Sequence, residues 1–169
     1  VPFAFKGYFI PYKVAIKIAI GIITQKQNFI LITSIILLYK FTLRVLNTFS
    51  YTGGFGVAAQ KAGAKSVTHV DISAPALAQA RINTTLNGFA EDSATFLQGN
   101  VFQELRAFRD RGRSFGLVIL DPPKFADTRS QTMKALRGYK DVNLLGIKLV
   151  EKGGWLATEI YNHETEPNK

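Results

Sequence analysis

The sequence predicts an α/β fold with a mostly parallel sheet. Between residues 44 and 160, short apolar runs typical of strands buried on both faces alternate with longer segments of helical pattern. Glycine, proline or asparagine separates many of these segments. Because alternating strands and helices require crossover connections of one hand, we expect the strands to lie parallel in one sheet.

Five strands and four helices are predicted. In chain order they are a strand at 44–49, a helix at 55–62, a strand at 67–71, a helix from 74 to 87, a strand at 94–98, a helix at 101–109, a strand at 117–120, a helix at 132–150 and a strand at 155–160.

The helix boundaries follow from individual residues. Gly63 closes the first helix, and Ser73 is a favourable N-cap for the second. Pro75 is tolerated in the first turn of that helix, and Gly88 marks its end. In the long fourth helix, Gly138 is a position where the helix is open to a break.

Residues 45–56, with the sequence VLNTFSYTGGFG, predict a buried strand that runs into a glycine turn and then a helix. Glycines let a ligand approach the backbone, and the helix offers free N–H groups to an anionic group. Asp71 ends the next strand at a distance that suits a carboxylate accepting hydrogen bonds from a ribose. These features predict a nucleotide-cofactor pocket.

Two other interpretations of the glycine turn stay open at this point. Gly54, Gly56 and Ala59 also fit the dinucleotide fingerprint G-x-G-x-x-G/A, which leaves NAD as a candidate cofactor. The turn is also compatible with a purely structural role in tight strand–helix packing.

A second motif, Asp121-Pro-Pro-Lys-Phe125, follows the apolar run at 115–120. Two consecutive prolines cannot continue a central strand, so the chain must leave the sheet there. Asp121 is therefore expected at the carboxyl edge of the sheet, where ligands bind in open α/β folds. Phe125 is a candidate for stacking on a base that has left its helix, and a simple rigid turn is the alternative.

The chain is basic, with a formal net charge of +9 and a pI of about 9.9. This charge favours a polyanionic partner such as RNA. One group of candidate phosphate-binding residues lies in or after the second motif, and it comprises Lys124, Arg129, Lys134, Arg137 and Lys140. Tyr139 among them is a candidate for base stacking or for partial burial. Another group, at 106–113, is expected to be a solvated helix face.

The N-terminal segment, residues 1–43, is rich in isoleucine and lysine and yields no fold prediction; residues 44–169 form the predicted domain. Its longest uncharged run, 27–39, is shorter than the roughly 20 residues that span a bilayer, so a membrane association is not expected. The sequence has no cysteine, and its two histidines are far apart, so no metal site is predicted. His69 lies in an apolar strand and is expected to be a hydrogen-bonded core residue.

Several of these motifs together resemble a known family. The stretches VLNTFSYTGG at 45–54, VDIS at 70–73, LDPPKF at 120–125 and RGYKDVN at 137–143 are similar to class I S-adenosylmethionine-dependent methyltransferases of bacterial 23S ribosomal RNA. The branch that they resemble carries an N-terminal PUA domain and makes 5-methylcytosine. The resemblance covers residues 44–158 and implies a Rossmann-like class I methyltransferase core in a cytoplasmic enzyme.

The resemblance also implies roles for individual residues. The glycine turn holds the methionine part of S-adenosylmethionine, Asp71 the ribose and Asn100 the adenine edge, while the loop at Asp121 faces the target base. The implied cofactor-binding residues are Phe49, Ser50, Tyr51, Thr52, Gly53, Gly54, Asp71, Ile72, Asn100, Val101 and Asp121. The implied catalytic residues are Asp121, Pro122, Pro123 and Phe125.

The sequence departs from the family pattern in ways that bear on activity. Methylation of cytosine carbon 5 needs a cysteine thiolate, which the family places after the strand that corresponds to 155–160, and this chain has no cysteine. The PUA domain and the last strands of the sheet are also missing, so the core is expected to end after its fifth strand. We expect the chain alone to be inactive in this reaction. A nitrogen-directed nucleic-acid methyltransferase and a non-catalytic basic fragment that associates with RNA or a membrane are the alternatives.

Overall fold

The computed structural model describes residues 17–20, 43–125 and 131–158, and these form one sheet with helices on both faces. The strands are β1 (Lys17–Ile20), β2 (Arg44–Thr48), β3 (Ser66–Asp71), β4 (Ala94–Gln98), β5 (Phe115–Leu120) and β6 (Val150–Thr158). The helices are α1 (Gly54–Lys61), α2 (Ala74–Leu86), α3 (Val101–Asp110) and α4 (Thr132–Leu149).

All pairings within the described residues are parallel, and the strand order is β1-β6-β5-β2-β3-β4. The predicted parallel α/β architecture is therefore confirmed. β1 belongs to the N-terminal segment, whose fold the sequence pattern did not predict, and it pairs with β6 from Lys17 opposite Trp155 to Ile20 opposite Thr158. No helix among the described residues is long and apolar enough to cross a bilayer.

Side chains that alternate along the central strands divide the core into two layers. Leu46 and Val118 belong to the layer that α3 and α4 cover, whereas Val45 and Leu117 belong to the layer beneath α1. This alternation is the period of two that a strand imposes on its side chains. Because both faces are covered, β5 is buried along its whole length.

Two strand starts and the predicted break in α4 differ from the structure, while the other described boundaries agree within one residue. β5 begins at Phe115 instead of residue 117, since Phe115 pairs with Val150 across an irregularity in the ladder. β6 begins at Val150 instead of residue 155, and residues 159 and 160 lie outside the described part of the chain. The helix α4 runs through Gly138 without a break, and the absence of a side chain there leaves room for the ring of Phe125.

A buried polar pair lies beneath the glycine turn. His69 of β3 and Asn47 of β2 are directly opposite each other and almost fully buried, with the Asn47 amide nitrogen 3.4 Å from His69 Nδ1. The imidazole stacks on Phe96 at a ring distance of 4.8 Å. Burial lowers the pKa of His69 from 6.5 to about 4, so the ring is neutral at pH 7.

The structure corrects one detail of the prediction for His69. The residue is part of the core, as expected, but its Nε2 has no hydrogen-bond partner among the described residues. The ring fits there because α1 has glycine at position 56, where an added Cβ would collide with the imidazole. His69 and Gly56 are therefore a matched pair that fixes the distance between β3 and the first turn of α1.

This matching predicts a strong dependence of one substitution on the other. Gly56→Ala should lower the free energy of unfolding by about 1–3 kcal/mol, the usual cost of overpacking a core. In a His69→Ala background the same substitution should be neutral or stabilising by up to about 1 kcal/mol, because alanine favours a helix over glycine. Urea denaturation of the four proteins of this cycle measures both values. An equal cost in the two backgrounds would contradict the pairing.

Candidate functional site

Three strand ends meet at the carboxyl edge of the sheet. Thr48, the last residue of β2, is level with Val70 of β3 on one side and with Leu120 of β5 on the other. The next residues along these strands are Phe49, Asp71 and Asp121, so the glycine turn, the first acid and the proline loop begin side by side. This is the edge where open α/β sheets bind ligands.

The glycine turn holds a strained backbone. Phe49 and Tyr51 have φ values of 52° and 46°, and Gly53 has a φ of 82°. Positive φ is uncommon for residues with a Cβ and costs roughly 1–3 kcal/mol each, and such residues concentrate at functional sites. A Cβ on Gly53 would lie 2.8 Å from that of Ala80, so the turn also needs glycine for its close approach to α2.

Asp71 connects this turn to the start of α2. Its Oδ2 accepts a hydrogen bond from the Tyr51 backbone N–H at 2.8 Å, and its Oδ1 accepts one from the Ser73 N–H at 2.9 Å. A carboxylate oxygen can accept more than one hydrogen bond, so the group retains capacity for two ligand hydroxyls. Sequence reasoning predicts that Asp71 binds a ribose but does not reveal that it also holds the turn.

A second anchor of the turn was missed by sequence reasoning. The side-chain amide of Asn83 donates to the backbone oxygen of Thr52 at 2.9 Å. Asn83 lies near the end of α2, and nothing in its sequence context distinguishes it from a solvated helix residue. Its role follows only from the packing of α2 beside the turn.

Other residues predicted to bind the cofactor differ in exposure. Ser50 is buried, and its Oγ has no hydrogen-bond partner among the described residues. Tyr51 and Ile72, in contrast, expose 70% and 68% of their surface beside Asp71. Gly54 is exposed at the first residue of α1. This edge of the sheet thus presents the buried Ser50 hydroxyl together with the exposed side chains of Tyr51, in the turn, and Ile72, after β3.

Asn100 and Val101 lie at the start of α3. The Asn100 Oδ1 accepts hydrogen bonds from the backbone N–H groups of Phe102 and Gln103, at 3.0 and 3.4 Å. Asn100 is therefore the N-cap of α3, and the group it can offer to a ligand is its amide NH2. Val101 is buried and packs into the core.

The proline loop, residues 121–125, leaves β5 at the same edge. Pro122 is buried, Asp121 and Phe125 are partly buried, and Pro123 and Lys124 are exposed. The Phe125 ring lies in an aromatic cluster, which comprises Phe49, Phe102, Phe125 and Tyr139. Phe125 thus packs against rings from the glycine turn, α3 and α4, and its role in base stacking stays a prediction.

The basic residues fall into two situations. Lys134, Arg137 and Lys140 are exposed along α4, and Lys124 is exposed in the proline loop. Arg129 lies outside the described residues. In the other group, Arg109 pairs with Asp110 at 2.8 Å, which agrees with a solvated helix face. Tyr139 is 5% exposed, so the buried alternative holds and a stacking role does not.

The edge has the composition of a nucleoside-binding site. It offers a carboxylate, an amide NH2, a buried hydroxyl and a glycine turn, all within the reach of neighbouring strand ends. Among the described residues, no three histidine, aspartate or glutamate side chains form a group that would hold a metal ion. The geometry alone does not distinguish S-adenosylmethionine from NAD.

Comparisons with known proteins separate these two. Residues 37–167 match the S-adenosylmethionine-dependent methyltransferase family. The ribosomal RNA large subunit methyltransferase I of Photobacterium profundum is 52% identical over 115 residues, which are 68% of this chain and 29% of that protein. The chain thus spans less than a third of the length of this curated relative.

Solved structures show the same fold. An S-adenosylmethionine-dependent methyltransferase from Agrobacterium tumefaciens superposes with a TM-score of 0.70, at 23% identity, over 82% of this chain and 45% of that one. A candidate methyltransferase complexed with SAH superposes with a TM-score of 0.56, at 27% identity, over 69% of this chain and 31% of that one.

Proposed function

This chain belongs to the S-adenosylmethionine-dependent methyltransferase family, and from that premise we propose that it is the cofactor-binding core of an enzyme that methylates large-subunit ribosomal RNA. The observation that carries the proposal is the meeting of the glycine turn, Asp71 and the proline loop at one sheet edge. The family's cofactor is S-adenosylmethionine, and this decides between the two cofactors that the glycine turn left open.

The residues at the edge fit this cofactor. Asp71 has its carboxylate fixed by two backbone N–H groups, which orients its remaining lone pairs for the ribose hydroxyls. The buried Ser50 Oγ has no partner among the described residues, as expected of a group that a ligand completes. The amide NH2 of Asn100 has the donor chemistry that a ring nitrogen of adenine requires.

S-adenosylmethionine supplies an electrophilic methyl group on a sulfonium. The protein's task is to align the acceptor in line with that methyl group and to exclude competing geometries. We assign the methionine part to the glycine turn from Phe49 to Gly54, with Ile72 and Val101 beside the nucleoside. Asp121 accepts a proton or a hydrogen bond from the acceptor base, and Pro122 and Pro123 hold that carboxylate and the backbone carbonyls in place.

Ribosomal RNA as substrate is supported by the name of the curated relative and by charge. The relative is a ribosomal RNA large subunit methyltransferase. Lys134, Arg137 and Lys140 are exposed on α4, the helix whose Tyr139 is hydrogen-bonded to the proline loop, and they would contact phosphates of the bound RNA. We propose 23S RNA as the substrate and carbon 5 of cytosine as the target in the longer enzymes.

The chain itself lacks one group that this chemistry needs. Carbon 5 of cytosine becomes nucleophilic only after a thiolate adds to the ring, and these 169 residues contain no cysteine. A nitrogen acceptor needs orientation and a proton acceptor, which the Asp121 loop offers. This second candidate, a nitrogen-directed methyltransferase, is favoured by that specific combination.

One experiment tests both candidates. The purified chain is incubated with 23S RNA and methyl-labelled S-adenosylmethionine, and the RNA is digested to nucleosides. We expect no 5-methylcytosine, because the thiolate is missing. Labelled N-methylguanosine or N-methyladenosine would favour the second candidate, whereas 5-methylcytosine would refute the assignment of this chain as inactive in that reaction.

Cofactor binding is tested without any methyl transfer. Asp71→Asn removes the negative charge and one acceptor position, so S-adenosylhomocysteine should bind about 10- to 100-fold more weakly in a calorimetric titration. Asp92→Asn, which changes an exposed carboxylate in the turn before β4, is the matched control and should bind as the wild type does. NAD should not compete. Equal affinities in the two variants would remove Asp71 from the site.

RNA contact by α4 is tested through its salt dependence. Replacing Lys134 and Arg137 together by Gln should lower the slope of log affinity against log salt by about 0.7–0.9 for each phosphate that the helix no longer neutralises. Lys148→Gln is the control, because Lys148 is exposed in the last turn of the same helix. An equal slope in the double variant and the wild type would place the RNA on another surface.

A further inference from the structure

The hydroxyl of Tyr139, on α4, both accepts a hydrogen bond from the backbone of the proline loop and donates one to it. Its Oη accepts a hydrogen bond from the Phe125 backbone N–H at 3.3 Å and donates one to the Pro123 backbone oxygen at 3.4 Å. The side chain of Tyr139 is 5% exposed, so these bonds are partly buried. One hydroxyl thus bonds to the residues on both sides of Lys124.

The loop needs such an external bond because its own sequence limits backbone bonding. Pro122 and Pro123 have no N–H, which leaves Asp121, Lys124 and Phe125 as the only backbone donors between residues 121 and 125. The N–H of Phe125 is one of these three, and Tyr139 accepts it. The rigid prolines fix the local shape of the loop but do not fix its position relative to the sheet.

Aromatic contacts of Phe125 connect Tyr139 to the glycine turn and to α3. Phe125 lies 4.6 Å from the Tyr139 ring, and its close approach to α4 is possible because position 138 is glycine, where a Cβ would lie 3.2 Å from the Phe125 ring. On its other side, Phe125 packs against Phe102 at 6.0 Å and Phe49 at 6.3 Å. Phe49 begins the glycine turn, and Phe102 is in the first turn of α3.

We propose that Tyr139 is a positioning residue, whose hydroxyl holds the proline loop against the cofactor-binding edge so that Asp121 keeps a fixed place beside the methyl donor. This inference rests on the proposed function and deepens it, since it names a residue that acts through the acceptor loop without touching the substrate.

The test is the removal of one oxygen atom. Tyr139→Phe keeps the ring stack with Phe125 and deletes both hydrogen bonds. We expect the Phe125 amide, followed by NMR, to exchange with solvent about five- to tenfold faster, as the loss of a hydrogen bond of ordinary net strength implies. The affinity for S-adenosylhomocysteine should stay within about twofold, because Asp71 and the glycine turn are unchanged.

The matched control removes an equally buried hydroxyl from another helix. Thr84 of α2 is fully buried, and its Oγ1 donates to the Ala80 backbone oxygen at 2.9 Å. Thr84→Val should leave the exchange of the Phe125 amide unchanged. If the Phe125 amide exchanges at the wild-type rate in Tyr139→Phe, the hydroxyl does not hold the loop and the inference fails. The inference also fails if exchange is accelerated equally in Tyr139→Phe and Thr84→Val.

A second variant separates the hydroxyl from the rings. Phe125→Leu removes the aromatic contacts but keeps the backbone N–H that donates to Tyr139. The amide of residue 125 should then stay more protected than in Tyr139→Phe, and the reverse order would overturn the assignment to the hydroxyl. None of these readouts needs methyl transfer. If the wild-type chain does not bind S-adenosylhomocysteine, the proposed function fails alone, while exchange still decides the role of Tyr139.

Discussion

The parallel pairing of β2 with both β3 and β5 is the constraint on which the site depends. Because Thr48 is level with Val70 and with Leu120, the glycine turn, the carboxylate of Asp71 and the proline loop start at the same height. A shift of one residue in either pairing would move Asp71 or Asp121 by about 3.3 Å and turn it to the opposite face of the sheet. The buried apolar layers on both faces oppose such a shift, so packing far from the ligand sets the geometry of the site.

The turn that this pairing creates is itself strained, and its supports show how the strain is tolerated. Phe49 and Tyr51 adopt left-handed conformations that their side chains disfavour. The bond from the Tyr51 N–H to Asp71 and the bond from Asn83 to the Thr52 oxygen hold the turn in that shape. The pair of His69 and Gly56 fixes the helix behind it. The turn is therefore largely formed before a ligand arrives, which lowers the ordering cost of binding.

Much of this fold could be predicted because its strongest signals are local. Each of these signals depends on a few adjacent residues. The apolar run at 115–120 predicts β5, the Ser73 cap predicts the start of α2, and the prolines after Asp121 predict the end of β5, as the structure has them. The bonds of Asn83 and Tyr139 join segments 31 and 14–16 residues apart. Sequence periodicity carries no information on such contacts, so the pattern left Tyr139 and Phe125 as candidates for base stacking and did not reveal that they pack on each other. The backbone strain at Phe49 was equally invisible, since local propensity argues against it.

The residues proposed to bind the cofactor lie on other elements than the one that would carry the missing thiolate. The cofactor contacts that we propose come from β2, β3 and the start of α3, whereas the thiolate of a cytosine-5 enzyme would come from the segment after β6, on the other side of β5. The hydrogen bonds of Asp71 and Asn100 join residues of the glycine turn, the start of α2 and the start of α3. These bonds therefore do not depend on a nucleophile after β6. The proline loop, held by Tyr139, also depends on α4 and not on the end of β6. On the proposed assignment, the loss of the covalent step leaves the cofactor contacts and the acceptor loop in place, which is why cofactor affinity and methyl transfer have to be measured separately.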